Sequence, residues 1–223
     1  MSDQQDVEAV FDAVDAAWDR ACALNFDALN PQQQLAALQR CEKQRRRIPA
    51  VEHPLINSLA RQAPSVELGG TVVHAIAEAT LISRGEAARR IKEARDLGPR
   101  HGLTGEPIPP ALAATATAQR QGTLGAGQVA VIRTFYHRLP GWVDLATREQ
   151  AEAQLAEFGT RFRPEQLADL ARALADVLNP DGTFTDEDRA RQRGLMLGHQ
   201  QADGMSALRG WLTPEARATL EAV

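Results

Sequence analysis

The stretch from Thr71 to Leu97, TVVHAIAEATLISRGEAARRIKEARDL, constrains the fold more tightly than any other part of the chain. Val72, Val73, Ile76 and Ala79 recur at helical spacing, which gives a first short helix one apolar face. Leu81 and Ile82 fall in a break, and Ser83 stands where an N-cap belongs. A serine there accepts a hydrogen bond from an orphan N–H of the next turn, and Glu86 three residues on is expected to complete a capping box. Ala87, Ala88, Ile91 and Ala94 line the inner face of a second helix, where small residues let two helices approach closely. The residues predict a tight helix hairpin.

Two short helices joined by three or four residues, with an apolar residue ahead of a serine cap, resemble the helix-turn-helix of DNA-binding proteins. In that motif the second helix offers Arg84, Ala88, Arg89 and Lys92 to a major groove or to phosphates. Two positions depart from the pattern: Leu81 stands where such turns often carry glycine, and Thr80 where leucine is usual. Glu86 with Arg90, and Arg89 with Glu93, are spaced i,i+4, and such pairs stabilise a helix while neutralising part of its basic face. The same residues therefore also describe an ordinary salt-bridged hairpin inside an all-helical domain.

Composition bears on both readings. Aromatic residues make up only 4% of the 223-residue chain, which favours closely packed helices over sheets. With 43% hydrophobic and 24% charged residues the chain is an ordinary globular one, long enough for a real core. The formal net charge is −4, so a nucleic-acid binder requires a local basic patch.

Ser2 to Leu24 reads as an amphipathic helix with a Ser2–Gln5 capping box and a stripe of Val7, Val10, Phe11, Val14, Trp18 and Ala21. Its outer face is acidic, with Asp3, Asp6, Glu8, Asp12, Asp15 and Asp19, and is expected to point away from phosphate. A second helix opens at Asn30-Pro31, with Leu35, Leu38 and Cys41 toward a core. It runs into the most basic window, where Lys43, Arg45, Arg46 and Arg47 form either a phosphate-contacting patch or a solvated face paired with the acidic first helix. Pro49 and Pro54 are expected to interrupt that helix before a short one over 54–62.

Residues 98–110, dense in glycine and proline, read as a loop that hinges two helical layers. Helices are expected over Pro110–Gln121, Gly127–His137, Asp144–Phe158 and Pro164–Leu178, joined by short loops as antiparallel neighbours. Thr185 caps a short helix through Arg193, with Asp188 at the capping-box position. Leu195–Gln200 and Met205–Leu212, separated by an Asp-Gly, read as a β-hairpin. Thr213-Pro214-Glu215 opens a last helix that buries Ala216, Leu220 and Val223, and its early stop points to a truncated chain. The fold class is mostly α: a multi-helix bundle with a helix-turn-helix-like hairpin and a short C-terminal β-hairpin, taken as one accessory domain over 1–223.

No catalytic constellation stands out. The five histidines lie singly on different elements, without i,i+4 pairs, and Cys22 and Cys41 lack metal-ligand spacing. Both cysteines read as reduced, half-buried packing residues. Asn179-Pro-Asp-Gly182 opens like a calcium loop but has Phe184 and Ala190 where Gly and Glu are needed. No cofactor, metal or small-molecule substrate is expected, and no membrane contact. Without a signal peptide or long apolar run, the protein is expected to be cytoplasmic.

The run Arg193–Glu215, RGLMLGHQQADGMSALRGWLTPE, resembles the mycobacterial 13E12 repeat family, as do Asn179-Pro-Asp-Gly182, Leu103-Thr-Gly-Glu-Pro107 and Leu81–Arg90. The resemblance covers nearly the whole chain. It implies a mostly helical N-terminal domain of unknown function (DUF 222) that commonly precedes an HNH endonuclease domain, a metal-dependent nuclease module. That module is absent here, so no catalytic residue carries over. The expected role is a non-catalytic DNA-binding or targeting region of an HNH-endonuclease-like protein, using Arg84, Arg89, Arg90 and Lys92 with Lys43, Arg45, Arg46 and Arg47. The alternative is an oligomerisation or partner-binding module, such as a homo-oligomer, that positions the downstream nuclease.

Overall fold

The computed structural model describes residues 2–62, 66–102 and 104–222, with side chains from Gln4 onward. The side chains of Ser2 and Asp3, Leu103 and Val223, on which parts of the sequence reading fall, lie outside the described residues. The chain is mostly helical. In order run α1 (Ser2–Cys22), α2 (Pro31–Gln62), α3 (Val72–Thr80), α4 (Arg84–Leu97), β1 (Arg100–His101), β2 (Pro107–Ile108), α5 (Ala113–Gln121), α6 (Ala126–Arg138), α7 (Leu145–Gly159), α8 (Pro164–Leu178), α9 (Asp186–Gln192), β3 (Gly194–Gln200), β4 (Ser206–Trp211) and α10 (Pro214–Glu221). Two compact units divide it, 1–44 and 45–223, and the division falls inside α2.

Local signals set most helix starts. Thr71, Ser83, Asp144, Thr185 and Thr213 each accept from a backbone N–H of the helix they precede. Only Thr185 among these builds a full capping box, with Asp188. At Ser83 the box is half made, because the Glu86 carboxylate is taken by Arg89 and Arg90. The first unit is different in kind: α1 has no buried residue, and Leu35, Leu38, Cys22 and Cys41 are exposed where packing was expected. Leu220 on α10 is likewise exposed.

Pro49 and Pro54 do not interrupt α2. A proline inside a helix removes one hydrogen bond and crowds the carbonyl four residues back, at about 3 kcal/mol or more. Tertiary contacts of the same segment offset that loss. His53 and Ile56 are buried, Glu52 bonds Arg90 at 3.1 Å, and Asn57 donates to the carbonyls of Ala94 and Pro99 at 2.8 and 3.2 Å.

The second unit has two apolar clusters. Ile56 of α2 packs with Ile76 and Ala77 of α3 and with Ala87, Ile91 and Ala94 of α4. The larger cluster gathers Leu97 and Leu112 with the inner faces of α5 to α8, centred on Leu124, Val129, Ile132, Leu155 and Leu167. Glycines permit the closest approaches: a Cβ on Gly127 meets Pro164 Cγ at 2.6 Å, and one on Gly159 meets Leu124 Cδ2 at 2.6 Å. The expected loop over 98–110 holds a short antiparallel pair, Arg100 opposite Ile108 and His101 opposite Pro107. Two-residue strands carry too little periodicity to be read from sequence. The C-terminal hairpin forms as expected, with Gly194 opposite Trp211 and Gln200 opposite Ser206.

Buried polar groups fix helix ends. Leu112 gives α5 no side-chain cap; instead the buried Glu152 of α7 accepts from Thr115 N and Oγ1 at 2.6 and 2.5 Å and from Ala114 N at 3.3 Å. Arg148 donates to the carbonyls of Tyr136, Leu139, Pro140 and Val143 around the end of α6. Glu152→Ala is expected to lower the unfolding free energy by about 2–3 kcal/mol in urea denaturation, because it leaves buried N–H donors of α5 unpaired.

Candidate nucleic-acid interface

The α3–α4 hairpin turns through a single residue of left-handed backbone. Leu81 has φ 54° and ψ 38°, and its side chain is 90% exposed. This is the conformation that glycine adopts without strain, so a leucine does here what glycine often does in helix-turn-helix turns. Ile82 returns to the core beside α3 and α4, and Ser83 then starts α4 by accepting from Glu86 N at 3.1 Å.

From that start the faces of α4 divide. Ala87, Ile91, Ala94 and Leu97 are buried, together with Glu93. On the adjoining exposed side Arg84, Ala88, Lys92 and Arg95 recur at i, i+4, i+8 and i+11, which places them on one face, turned away from Glu93. Gly85 and Ala88 between them are small, so backbone can approach a ligand closely there. Arg84 Nη2 lies 3.4 Å from His74 Nδ1. Among the described residues neither Lys92 nor Arg95 has an ion-pair partner. Arg95 was missed in the sequence reading, although its i+11 spacing from Arg84 was sufficient to find it.

The other arginine candidates are engaged. Arg89 bonds Glu86 at 2.7 Å and Glu93 at 3.0 Å. Arg90 turns toward α2, where it bonds Glu52 at 3.1 Å, and also bonds Glu86 at 2.9 Å. Arg45 of α2 joins both in a cleft of about 200 Å³, lined also by Ile48, Pro49, Glu52, His53 and Glu93. Three guanidiniums thus meet in one place, interleaved with Glu52, Glu86 and Glu93, so their field is largely cancelled. Arg46 donates to the Thr123 carbonyl at 3.2 Å, between α5 and α6. Lys43 and Arg47 are exposed on α2, Lys43 in the first unit.

Beneath the cleft lies a buried polar cluster. Glu93 is 6% exposed and His53 3%, with His53 Nε2 at 3.6 Å from Glu93 Oε1. Arg133 of α6 stands 3.8 Å from Glu93 and 2.7 Å from Asp96, whose second partner is His137 at 2.9 Å. Burial opposes the charged form of Glu93, but His53, Arg89 and Arg133 outweigh it and hold the carboxyl below its ordinary range. Burial likewise opposes ionised Asp96, and His137 and Arg133 outweigh it. The hydrogen bonds from Arg89 and Arg90 hold Glu86 at about 2. Among the described residues no group of three or more His, Cys, Asp or Glu is placed to hold a metal ion, and no helix is long and apolar enough to cross a membrane.

The family described as "Domain of unknown function (DUF222)" matches residues 35–223. An uncharacterized protein of Mycobacterium tuberculosis (strain ATCC 25618 / H37Rv) is 59% identical over 222 residues, 100% of this chain and 49% of the relative. A second uncharacterized protein of that strain is 54% identical over 222 residues, again 100% and 49%. An uncharacterized protein of Mycobacterium bovis (strain ATCC BAA-935 / AF2122/97) is 52% identical over 220 residues, 99% and 48%. The chain spans about half the length of the curated relatives it matches. No solved structure matches.

Two outcomes are expected. Leu81→Gly relieves left-handed strain of about 1–2 kcal/mol, offset in part by the entropy of glycine, roughly 0.5–1 kcal/mol, so thermal unfolding of the variant should shift upward. Carboxylates with depressed pKa values stabilise the fold above their unfolded pKa and lose that contribution as pH falls through the folded value. For Glu86 the window runs from 4.5 down to about 2. Urea midpoints measured across that range should fall with pH, and Glu86→Gln should make the fall shallower.

Proposed function

We propose, for a chain that belongs to the DUF222 family, a non-catalytic role in binding or targeting DNA. The observation that carries this reading is the outer face of α4, where Arg84, Lys92 and Arg95 flank Gly85 and Ala88 on a helix that follows a helix-turn-helix-like turn. Arginine and lysine on such a face neutralise phosphates, and the small residues between them let the helix backbone enter a groove. Arg89 lies beside this face and reaches phosphate only by giving up bonds to Glu86 or Glu93. Arg90 serves chiefly to hold α4 against α2, and Arg45 lines the cleft between them.

The 13E12 resemblance supplies the setting. On that reading the longer proteins carry an HNH endonuclease domain, and this region delivers it to DNA. A second reading, an oligomerisation or partner-binding module that positions such a domain, is favoured by the exposed apolar stripe along α1.

The test is a gel-shift salt titration of the full 223-residue chain on duplex and single-stranded DNA. Binding should weaken linearly in log salt, with each phosphate contact contributing roughly 0.9 to the slope. Lys92→Ala/Arg95→Ala should lower the slope by about 2. Arg90→Met should leave the slope unchanged while lowering stability by about 0.5–1 kcal/mol. Absence of DNA retention at low salt, or an unchanged slope in the Lys92/Arg95 variant, sinks the proposal.

A further inference from the structure

We infer that the C-terminal hairpin and the end of α6 together form a stacking platform for unpaired bases of single-stranded DNA, centred on Trp211. The register sets Gly194 opposite Trp211 and Met196 opposite Arg209. Residues directly opposite each other in an antiparallel pair share one face, so these four stand on the same side of the hairpin. Gly194 has no side chain to cover the indole from the partner strand, and a Cβ there would meet nothing within 4 Å. Trp211 is accordingly 59% exposed, and Met196 beside it is open as well. From the end of α6 the Arg138 guanidinium lies over the Trp211 ring, 4.8 Å from its centroid.

Charge identifies the ligand. Neither β3 nor β4 contains an acidic residue, and Asp203 in the turn between them accepts from Met205 N at 2.9 Å. Among the described residues Arg138, Arg193 and Arg209 have no carboxylate partner. Arg189, Arg191 and Arg217 on the flanking helices differ, because they bond Asp186, Asp188 and Glu221. On a chain of net charge −4, uncompensated cations around an open aromatic ring suit a ligand that is planar, apolar on its faces and anionic along its backbone. Arg209 stands two residues from Trp211 on the same strand face, roughly 7 Å away, within reach of the phosphate of a nucleotide whose base lies on the indole. Stacking on a side chain needs a free base face, and in a duplex both faces of each base are covered, so the ligand is single-stranded. An apolar protein segment would gain from Trp211 and Met196 but leave the three guanidiniums unanswered. The platform lies on elements other than α4 and is independent of the groove contact proposed above.

Fluorescence anisotropy at low salt tests this on the full chain with two labelled strands of about 15 nucleotides. One is oligothymidylate; the other is an abasic strand that keeps the sugars and phosphates but carries no bases. Oligothymidylate should bind about tenfold or more tighter than the abasic strand, the effect of stacking a single base. Trp211→Ala should remove that preference, while affinity for the abasic strand, which rests on the arginines, stays within about twofold. Trp211→Phe keeps a ring and should retain most of the preference. Arg209→Ala should weaken both strands alike and lower the salt slope of each by about 0.7. Lys92→Ala/Arg95→Ala, which tests the groove face of α4, should leave the preference for bases unchanged. Equal affinity for the two strands, a preference that survives Trp211→Ala, or an equal loss on both strands in that variant overturns the inference. So does a preference that disappears in the Lys92/Arg95 variant, and none of these outcomes bears on duplex binding by α4.

Discussion

A carboxylate almost cut off from water, Glu93, stands where four helices meet. An isolated ionised side chain in that position is prohibitively expensive, so its partners are not optional. They come from α2 (His53), from α4 itself (Arg89), from α6 (Arg133) and, more distantly at 3.5 Å, from α5 (Gln119). Such a cluster contributes little net stability beyond what apolar residues of the same size supply. It does exclude other rotations of α4, because any turn of that helix about its axis strands the charge. The outward aim of Arg84, Lys92 and Arg95 follows from the inward aim of Glu93.

The same device recurs through the second unit. Glu152 caps α5 from α7, Arg148 closes the end of α6 from α7, and Asp188 joins α9 to the turn at Gly141. Each puts a charged side chain, buried for Glu152 and Asp188 and half-buried for Arg148, on a helix end or turn that its own neighbouring residues leave unsatisfied. An alanine-rich chain with few aromatics has small apolar clusters and smooth helix surfaces, which slide easily past one another. Directional polar contacts at helix ends remove that freedom. Close approaches at Gly127 and Gly159 then bring α6 and α8 together, and Leu124 into the side of α7.

What the sequence made legible was what is local. The caps at Ser83, Asp144, Thr185 and Thr213, the stop at Gly122 and the Asp-Gly hairpin all depend on residues within a few positions of one another, and their chemistry can be read directly. The passage of α2 through Pro49 and Pro54 was not legible, because the contacts that permit it come from residues about forty positions away. The candidate cations show the same split. That Arg84, Arg89, Arg90 and Lys92 share one helix was plain, but the i,i+4 pairs did not reveal that Arg90 also reaches Glu52 or that Glu93 is buried. Arg95 lies one turn beyond the motif's usual contact positions, where the recognition pattern carries no signal and only the continued helical spacing from Arg84 points to it.

The division of cations into engaged and unengaged groups matters more than their number. A guanidinium already bonded to two carboxylates, as Arg89 and Arg90 are, must lose charge-assisted bonds before it binds a phosphate, and the exchange is close to even. Lys92 and Arg95 exchange only water. On a chain of net charge −4, distant phosphate is attracted only where positive charge stands clear of compensating carboxylates. Within α4 that condition is met on the side facing away from Glu52, Glu86 and Glu93. The pairs that lock the inner flank of α4 in place are thereby also what confines its usable positive field to the outer one.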